Sequence, residues 1–243
     1  MPSRIHWATK IVRDSPLASI VAVTLLASAC LPALAESTCY GTPSKGRIEG
    51  AVQLPESGAN YSAYSGFGVY LGRTYVHEKV RDIAVAAYSS VAAAAPGKVF
   101  VYGETGWKSG GRLRPHRTHE NGLSVDFFVP VTDSSGKSVP LPISPLNKFG
   151  YGIDFDAEGK FEGLVIDFEA IGEHLFQLNL AAQKANVPIA LVIFDPPYLP
   201  KLFATKHGEF LQHNINFMKG KAWVRHDEHY HVDFGVPCKP FAG

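Results

Sequence analysis

Two short segments concentrate the side chains that bind metals and move protons. RPHRTHENGLSVD (114–126) carries His116, His119 and Asp126, and RHDEHYH (225–231) carries His226, His229 and His231. Two imidazoles and one carboxylate form the open ligand set of catalytic zinc, leaving a fourth tetrahedral position for water. Calcium and magnesium prefer oxygen ligands, so a set this rich in nitrogen favours Zn²⁺. Of the other histidines, His77, His174, His207 and His213 stand alone and are read as ordinary core or surface residues.

Strand alternation is what would bring the two segments together. From 229 to 234, His229, His231 and Asp233 fall on one face, and Tyr230, Val232 and Phe234 on the other. Residues 123 to 129 repeat the pattern, with Leu123, Val125, Phe127 and Val129 apolar and Ser124 and Asp126 opposite. If both strands lie in one sheet, Asp126 shares a side with the His229/His231 pair. His116 and His119 precede the first strand in a loop, and Asn121-Gly122 prevents a helix from running into it. Same-face residues stand roughly 6.6 Å apart along a strand, so spacing leaves open which histidine of the last strand is a ligand. On a regular strand Glu228 would face the core side, and Asp227 reads as surface charge. Asp233 is placed to orient a ligand histidine.

The rest of the chain supplies a framework. Residues 77–94 and 168–185 have apolar stripes at helical spacing. KVFVYGE, GLSVDFFVPV, PIALVIFD and EHYHVDF read as strands, and 152–168 as a hairpin closed around Glu158-Gly159. Mixed elements without strict βαβ alternation predict an α+β fold with a mainly antiparallel sheet. Nothing repeats, so residues 36–243 are expected to form one domain.

Composition narrows the setting. At 243 residues, 46% hydrophobic and 19% charged, the chain is an ordinary globular one. A formal net charge of +1 without charged blocks gives no reason to expect a nucleic-acid or acidic-lipid partner. Arg4, Lys10 and Arg13 precede an apolar run ending in Ala33-Leu34-Ala35, the pattern of a secretory signal cleaved after residue 35. LASAC also permits lipid attachment at Cys30, although Ala27 stands where a bulkier aliphatic is usual. Cleavage removes three positive charges and one negative, turning +1 into −1. The exported chain keeps Cys39 and Cys238, each in a turn-like setting, and a bridge between them is expected in an oxidising compartment. A loop so long is stabilised by at most roughly 4–5 kcal/mol in the chain-entropy model.

The segments SGGRLRPHRTHENGLSVDFFVP (109–130) and RHDEHYH (225–231) together resemble the signature blocks of penicillin-insensitive murein endopeptidases. These belong to a metallopeptidase group that includes lysostaphin, D-Ala-D-Ala carboxypeptidases and the hedgehog amino-terminal domain. His119, Gly122 and Asp126 match the group's first motif and His229-Tyr230-His231 its His-x-His motif. Gly110-Gly111-Arg112, His116, His226 and VIFDPPYLPKL are similar to the endopeptidases more narrowly. The best-known of these endopeptidases have additional cysteines and a longer tail, which have no counterpart in this sequence. The resemblance implies a hedgehog/D,D-peptidase-like fold with Zn²⁺ held by His119, Asp126 and His231. It implies a catalytic role for His229 beside the water, with His116 and His226 lining the site.

Arg112 is read either as the residue that holds a substrate carboxylate, because a guanidinium pairs with carboxylates bidentately, or as a surface arginine in a solvated glycine turn. The implied activity is hydrolysis of D-alanyl cross-links between peptidoglycan strands in the periplasm, with no transmembrane helix in the mature chain. Two other outcomes share the same metal kit: a D,D-carboxypeptidase, and a non-catalytic metal- or peptidoglycan-binding module.

Overall fold

Leu123–Val129 and His229–Phe234 each alternate an apolar face with a polar one, and the computed structural model pairs them as neighbouring antiparallel strands. Described are Met1 and residues 36–220 and 222–242. The expected signal segment and Cys30 lie outside the described residues. Among the described residues no helix is long and apolar enough to cross a membrane.

The chain opens with a hairpin, β1 (Thr38–Thr42) and β2 (Lys45–Glu49), followed by β3 (Val52–Gln53) and β4 (Tyr61–Ala63). A short helix α1 (Gly66–Tyr70), β5 (Tyr75–Val76) and the long helix α2 (Glu78–Ala94) come next. Then follow β6 (Phe100–Tyr102), β7 (Ser124–Phe128), β8 (Val131–Thr132) and β9 (Ser138–Val139). The second half holds β10 (Lys160–Phe161), β11 (Leu164–Ile166) and the helix α3 (Phe168–Lys184). It ends with β12 (Ile189–Ile193), α4 (Leu199–Phe203), α5 (Gly208–Asn214) and β13 (His229–Phe234).

The central sheet runs β12-β13-β7-β6-β4 and is antiparallel except for the β4/β6 pair. A second sheet, β10-β11-β8-β9, is antiparallel throughout. The fold is therefore α+β, as the mixed pattern predicts. The two long helices pack on each other and on the apolar face of the central sheet. Their inward stripes, Val80, Ile83, Ala87 and Val91 on α2 and Ile171, Leu175 and Leu178 on α3, are buried. Tyr88 of α2 and His174 of α3 stack on each other and both meet Phe127 of β7 edge-on. This layer fixes β7 and β13 from behind, so their polar face is held rigidly for the site.

Two local expectations are corrected. The hairpin of the second sheet closes around Glu162-Gly163 rather than Glu158-Gly159, pairing Phe161 with Leu164. Both Glu-Gly pairs turn the chain. Gly159 closes a separate turn onto the Asp156 carbonyl, and Glu162 and Gly163 both adopt positive φ (45° and 81°), as a tight hairpin turn requires. Cys39 lies within β1, opposite Ile48, and not in a turn. It forms the expected disulfide with Cys238.

Candidate metal centre

Register places the polar residues of the two strands directly against each other. His231 lies opposite Asp126, Asp233 opposite Ser124, and His229 opposite Phe128. Cross-strand neighbours stand about 5 Å apart at Cβ, close enough for their side-chain ends to meet. Asp126 is the hub. Its Oδ1 lies 2.9 Å from His231 Nδ1 and 3.2 Å from His119 Nε2. Oδ2 accepts a hydrogen bond from the Tyr151 hydroxyl at 2.9 Å and faces His116 Nδ1 at 3.6 Å. The four residues His119, Asp126, His229 and His231 are almost fully buried.

His119 reaches this hub from the loop because its backbone adopts φ 71°. For a residue other than glycine the left-handed region costs about 1–2 kcal/mol, and such strain concentrates where a side chain has a task. Gly122 follows with φ 76° and brings the chain onto β7, its carbonyl accepting from His77 N at 2.9 Å. The loop is braced from outside by the β1–β2 hairpin: Ile48 N donates to Ser109 O at 3.2 Å and Glu120 N to Pro43 O at 2.9 Å.

Each imidazole turned to Asp126 is tethered at its other nitrogen. His119 Nδ1–H donates to the Thr105 carbonyl at 3.1 Å, and His231 Nε2–H to Asp233 at 2.9 Å. His116 Nε2–H donates to Glu104 at 2.6 Å. Ser124 in turn donates to Asp233. Tethering of the outer nitrogen is how proteins orient metal-ligating histidines. Asp233 thus has the orienting place expected of it.

The donor set fits a metal ion. His116, His119 and Asp126 present ligand atoms that all lie within 4.8 Å of one another. His119 Nε2 is buried and makes no hydrogen bond. Ligand atoms 2.0–2.1 Å from a tetrahedral zinc lie about 3.3 Å apart, close to the 2.9 and 3.2 Å spacings around Asp126 Oδ1. The charges agree as well. Burial alone would raise Asp126, yet His119 and His229 hold its carboxyl well below the usual range. Burial opposes protonation of His231, but Asp233 and Asp126 outweigh it and push the ring up to about 10. A positive charge is wanted between these carboxylates.

His229 stands at the rim of this set, its Nε2 3.8 Å from Asp126 Oδ1. Its Nδ1 is 2.9 Å from Glu228 Oε1. Burial pushes His229 down to about 4 and Glu228 up to about 8, so both groups favour their neutral forms. Glu228 does not face the core, as a regular strand would have it. It precedes the first residue of β13, alternation does not govern it, and its carboxyl lines the site beside His229. Asp227 is likewise no surface charge. It is buried, accepts from Phe155 N at 2.7 Å, and burial pushes it up to about 7.

The site opens on a cavity of about 790 Å³, behind whose wall His119 and Asp233 lie. His116, Asp126, His229 and His231 line it, as does His226, whose Nδ1–H donates to the Val224 carbonyl at 2.9 Å and whose ring centre is 4.6 Å from that of His229. Arg112 does not belong to this wall. Its side chain is exposed and its carbonyl accepts from Trp107 Nε1 at 3.2 Å. The guanidinium groups that do line the cavity are those of Arg73 and Arg225.

Four contributors escaped the sequence. Glu104 is buried and receives the guanidinium of Arg73, the hydroxyl of Tyr64 at 3.0 Å and His116. Burial would raise its carboxyl, but His116 and Arg73 bring it down to about 2. Tyr151, from an irregular segment after β9, donates to Asp126 and accepts from Glu104 N at 2.9 Å. Of these, only Glu104 left a trace: a carboxylate closing the apolar strand KVFVYGE.

The sequence model of the penicillin-insensitive murein endopeptidase family matches residues 39–240. The chain belongs to this family. No curated protein matches it. As a murein endopeptidase family member it is a peptidase whose family substrate is peptidoglycan, and the family's place of action outside the cytoplasm agrees with the disulfide.

Proposed function

We propose that the protein is a zinc-dependent endopeptidase that hydrolyses D-alanyl cross-link bonds between murein strands. The observation that carries this reading is the convergence on Asp126 of imidazoles tethered at their outer nitrogens, inside a cavity large enough for a peptide. His119, Asp126 and His231 are the proposed ligands. His231 is preferred to His116 because it faces the same carboxylate oxygen as His119, at 2.9 Å, whereas His116 faces the other oxygen at 3.6 Å. Zinc bound there would polarise the scissile carbonyl and lower the pKa of its water to about 7.

The chain's own groups do the rest. His229, kept neutral by burial, accepts the proton of the attacking water at Nε2, while Glu228 holds its Nδ1 side. Tyr151 fixes Asp126 through Oδ2, and Asp233 fixes His231. His116 and His226 flank the reacting bond. The fold is proposed to be of the hedgehog/D,D-peptidase kind, with residues 36–243 as the single catalytic domain. Residues 1–35 are proposed as a signal peptide directing the chain to the periplasm. Mass measurement of the exported protein checks the cleavage after Ala35.

Digestion of purified cross-linked cell wall, with and without a chelator, tests the activity. Chelator-sensitive conversion of muropeptide dimers to monomers is expected. Release of free D-alanine alone would make the protein a carboxypeptidase, and bound zinc without turnover would make it a binding module.

A further inference from the structure

Glu104 is a buried carboxylate to which the proposed reaction gives no task. Its Oε1 receives the Tyr64 hydroxyl at 3.0 Å and Arg73 Nε. Its Oε2 receives Arg73 Nη2 at 2.9 Å and His116 Nε2 at 2.6 Å. The backbone beneath is pinned to the hub of the metal centre, because the Glu104 carbonyl accepts from Asp126 N at 3.2 Å. The carboxylate therefore stands on the same sheet as Asp126.

His116 has no such footing. Residues 111–120 belong to no helix or strand, so its ring is placed by side-chain contacts. Nε2–H goes to Glu104. Nδ1 lies 3.6 Å from Asp126 Oδ2, too far for a hydrogen bond, and stays available to a reacting group. Arg73 steadies the same loop, since its Nη2 also donates to the Arg114 carbonyl at 3.0 Å. Tyr64 and Arg73 bracket the segment 64–73, whose Phe67, Gly68 and Leu71 line the cavity. Both ends of that wall thus meet on the carboxylate that holds His116.

A carboxylate on the outer nitrogen sets both the orientation and the tautomer of an imidazole. We infer that Glu104 is a positioning residue for the reaction: it fixes His116 with Nδ1 turned to the substrate's peptide group and locks that ring to the wall formed by residues 64–73. The inference rests on the murein endopeptidase reading and adds a residue to it. Glu104→Gln is the informative change. Its amide oxygen can still accept from Arg73 and Tyr64, but its amide N–H groups confront Nε2–H of His116. The ring must then turn or move its proton to Nδ1.

The test is initial-rate kinetics of the zinc-loaded full chain on a purified cross-linked muropeptide dimer. Four proteins are compared: unsubstituted, Glu104→Gln, His116→Ala and the double variant. Glu104→Gln is expected to keep about one zinc per chain, to lower kcat by about 10–100-fold and to change KM by less than about threefold. Because the two residues act as one unit, the double variant should match His116→Ala within about threefold. Multiplied losses in the double variant, an unchanged kcat in either single variant, an effect confined to KM, or loss of zinc from folded Glu104→Gln would overturn the inference. Should Glu104→Gln fail to fold, the unsubstituted protein decides. It should show a low-field imidazole N–H proton resonance that disappears in His116→Ala, and absence of that resonance overturns the inference. If the unsubstituted chain releases only D-alanine, the endopeptidase reading fails, and the same comparison on that reaction still decides the role of Glu104. An inert chain would sink both.

Discussion

At the scale of single residues the site separates holding from reacting. Asp126 holds: Asp126→Ala should reduce bound zinc from about one per chain to near none, read by elemental analysis, and abolish cell-wall digestion. Asp233 acts one step further out, through Nε2 of His231. Asp233→Asn should keep the fold but weaken zinc affinity by about 10–100-fold in chelator competition, the usual cost of losing such a partner. His229 reacts. His229→Ala should leave the zinc content unchanged and lower kcat by about 10²–10⁴, the range of a lost general base. Glu228→Gln should cost less, because the amide still hydrogen-bonds Nδ1. If Glu228→Gln abolishes turnover while His229→Ala keeps most of it, the two roles are exchanged.

At the scale of elements, the loop entering β7 depends on one backbone conformation. At Gly122, φ is 76° and an added Cβ would stand 2.6 Å from Ile48 Cδ1 and 3.0 Å from His77 N. Gly122→Ala should therefore destabilise by at least about 1–2 kcal/mol, read as a lower denaturant midpoint, with weaker zinc binding because His119 is displaced. Much of this arrangement was legible in the sequence. That Asp126, His229 and His231 share a face could be anticipated, given β7 and β13 in one sheet, because a period of two with one apolar face admits a single orientation, whereas their direct pairing came from the structure. Glu228 was not legible, since the rule that assigns faces holds only inside a strand and β13 begins one residue later. Between Glu158-Gly159 and Glu162-Gly163, composition offered no choice, and pairing of Phe161 with Leu164 made it. Arg73, Tyr64 and Tyr151 reach the site through contacts distant along the chain, which local periodicity does not encode.

At the scale of the whole molecule, the helical layer behind the sheet sets a pH limit. His174 is fully buried, shares a 2.6 Å hydrogen bond with the Tyr230 hydroxyl, and burial pushes it down to about 3. Above the unfolded value of about 6.5 neither state binds its proton. As pH falls from there towards 3, the unfolded chain gains a proton that the folded one refuses, so stability is lost at up to about 1.4 kcal/mol per pH unit. Urea midpoints should fall less steeply with acidification in His174→Phe, which keeps the stacking on Tyr88 and removes the titrating group. The disulfide acts at the same scale. Cys39→Ser with Cys238→Ser should lower stability by up to about 4–5 kcal/mol, with the hairpin that braces the ligand loop loosening first. The bond has a consequence beyond energy. Cys39 and Cys238 are 199 positions apart in sequence, yet their Cα atoms are 4.8 Å apart. Both strands of the metal site and every proposed ligand lie between them. To a protease or unfoldase that works by threading a chain from one end, the working part of this protein is a closed ring with nothing to grip.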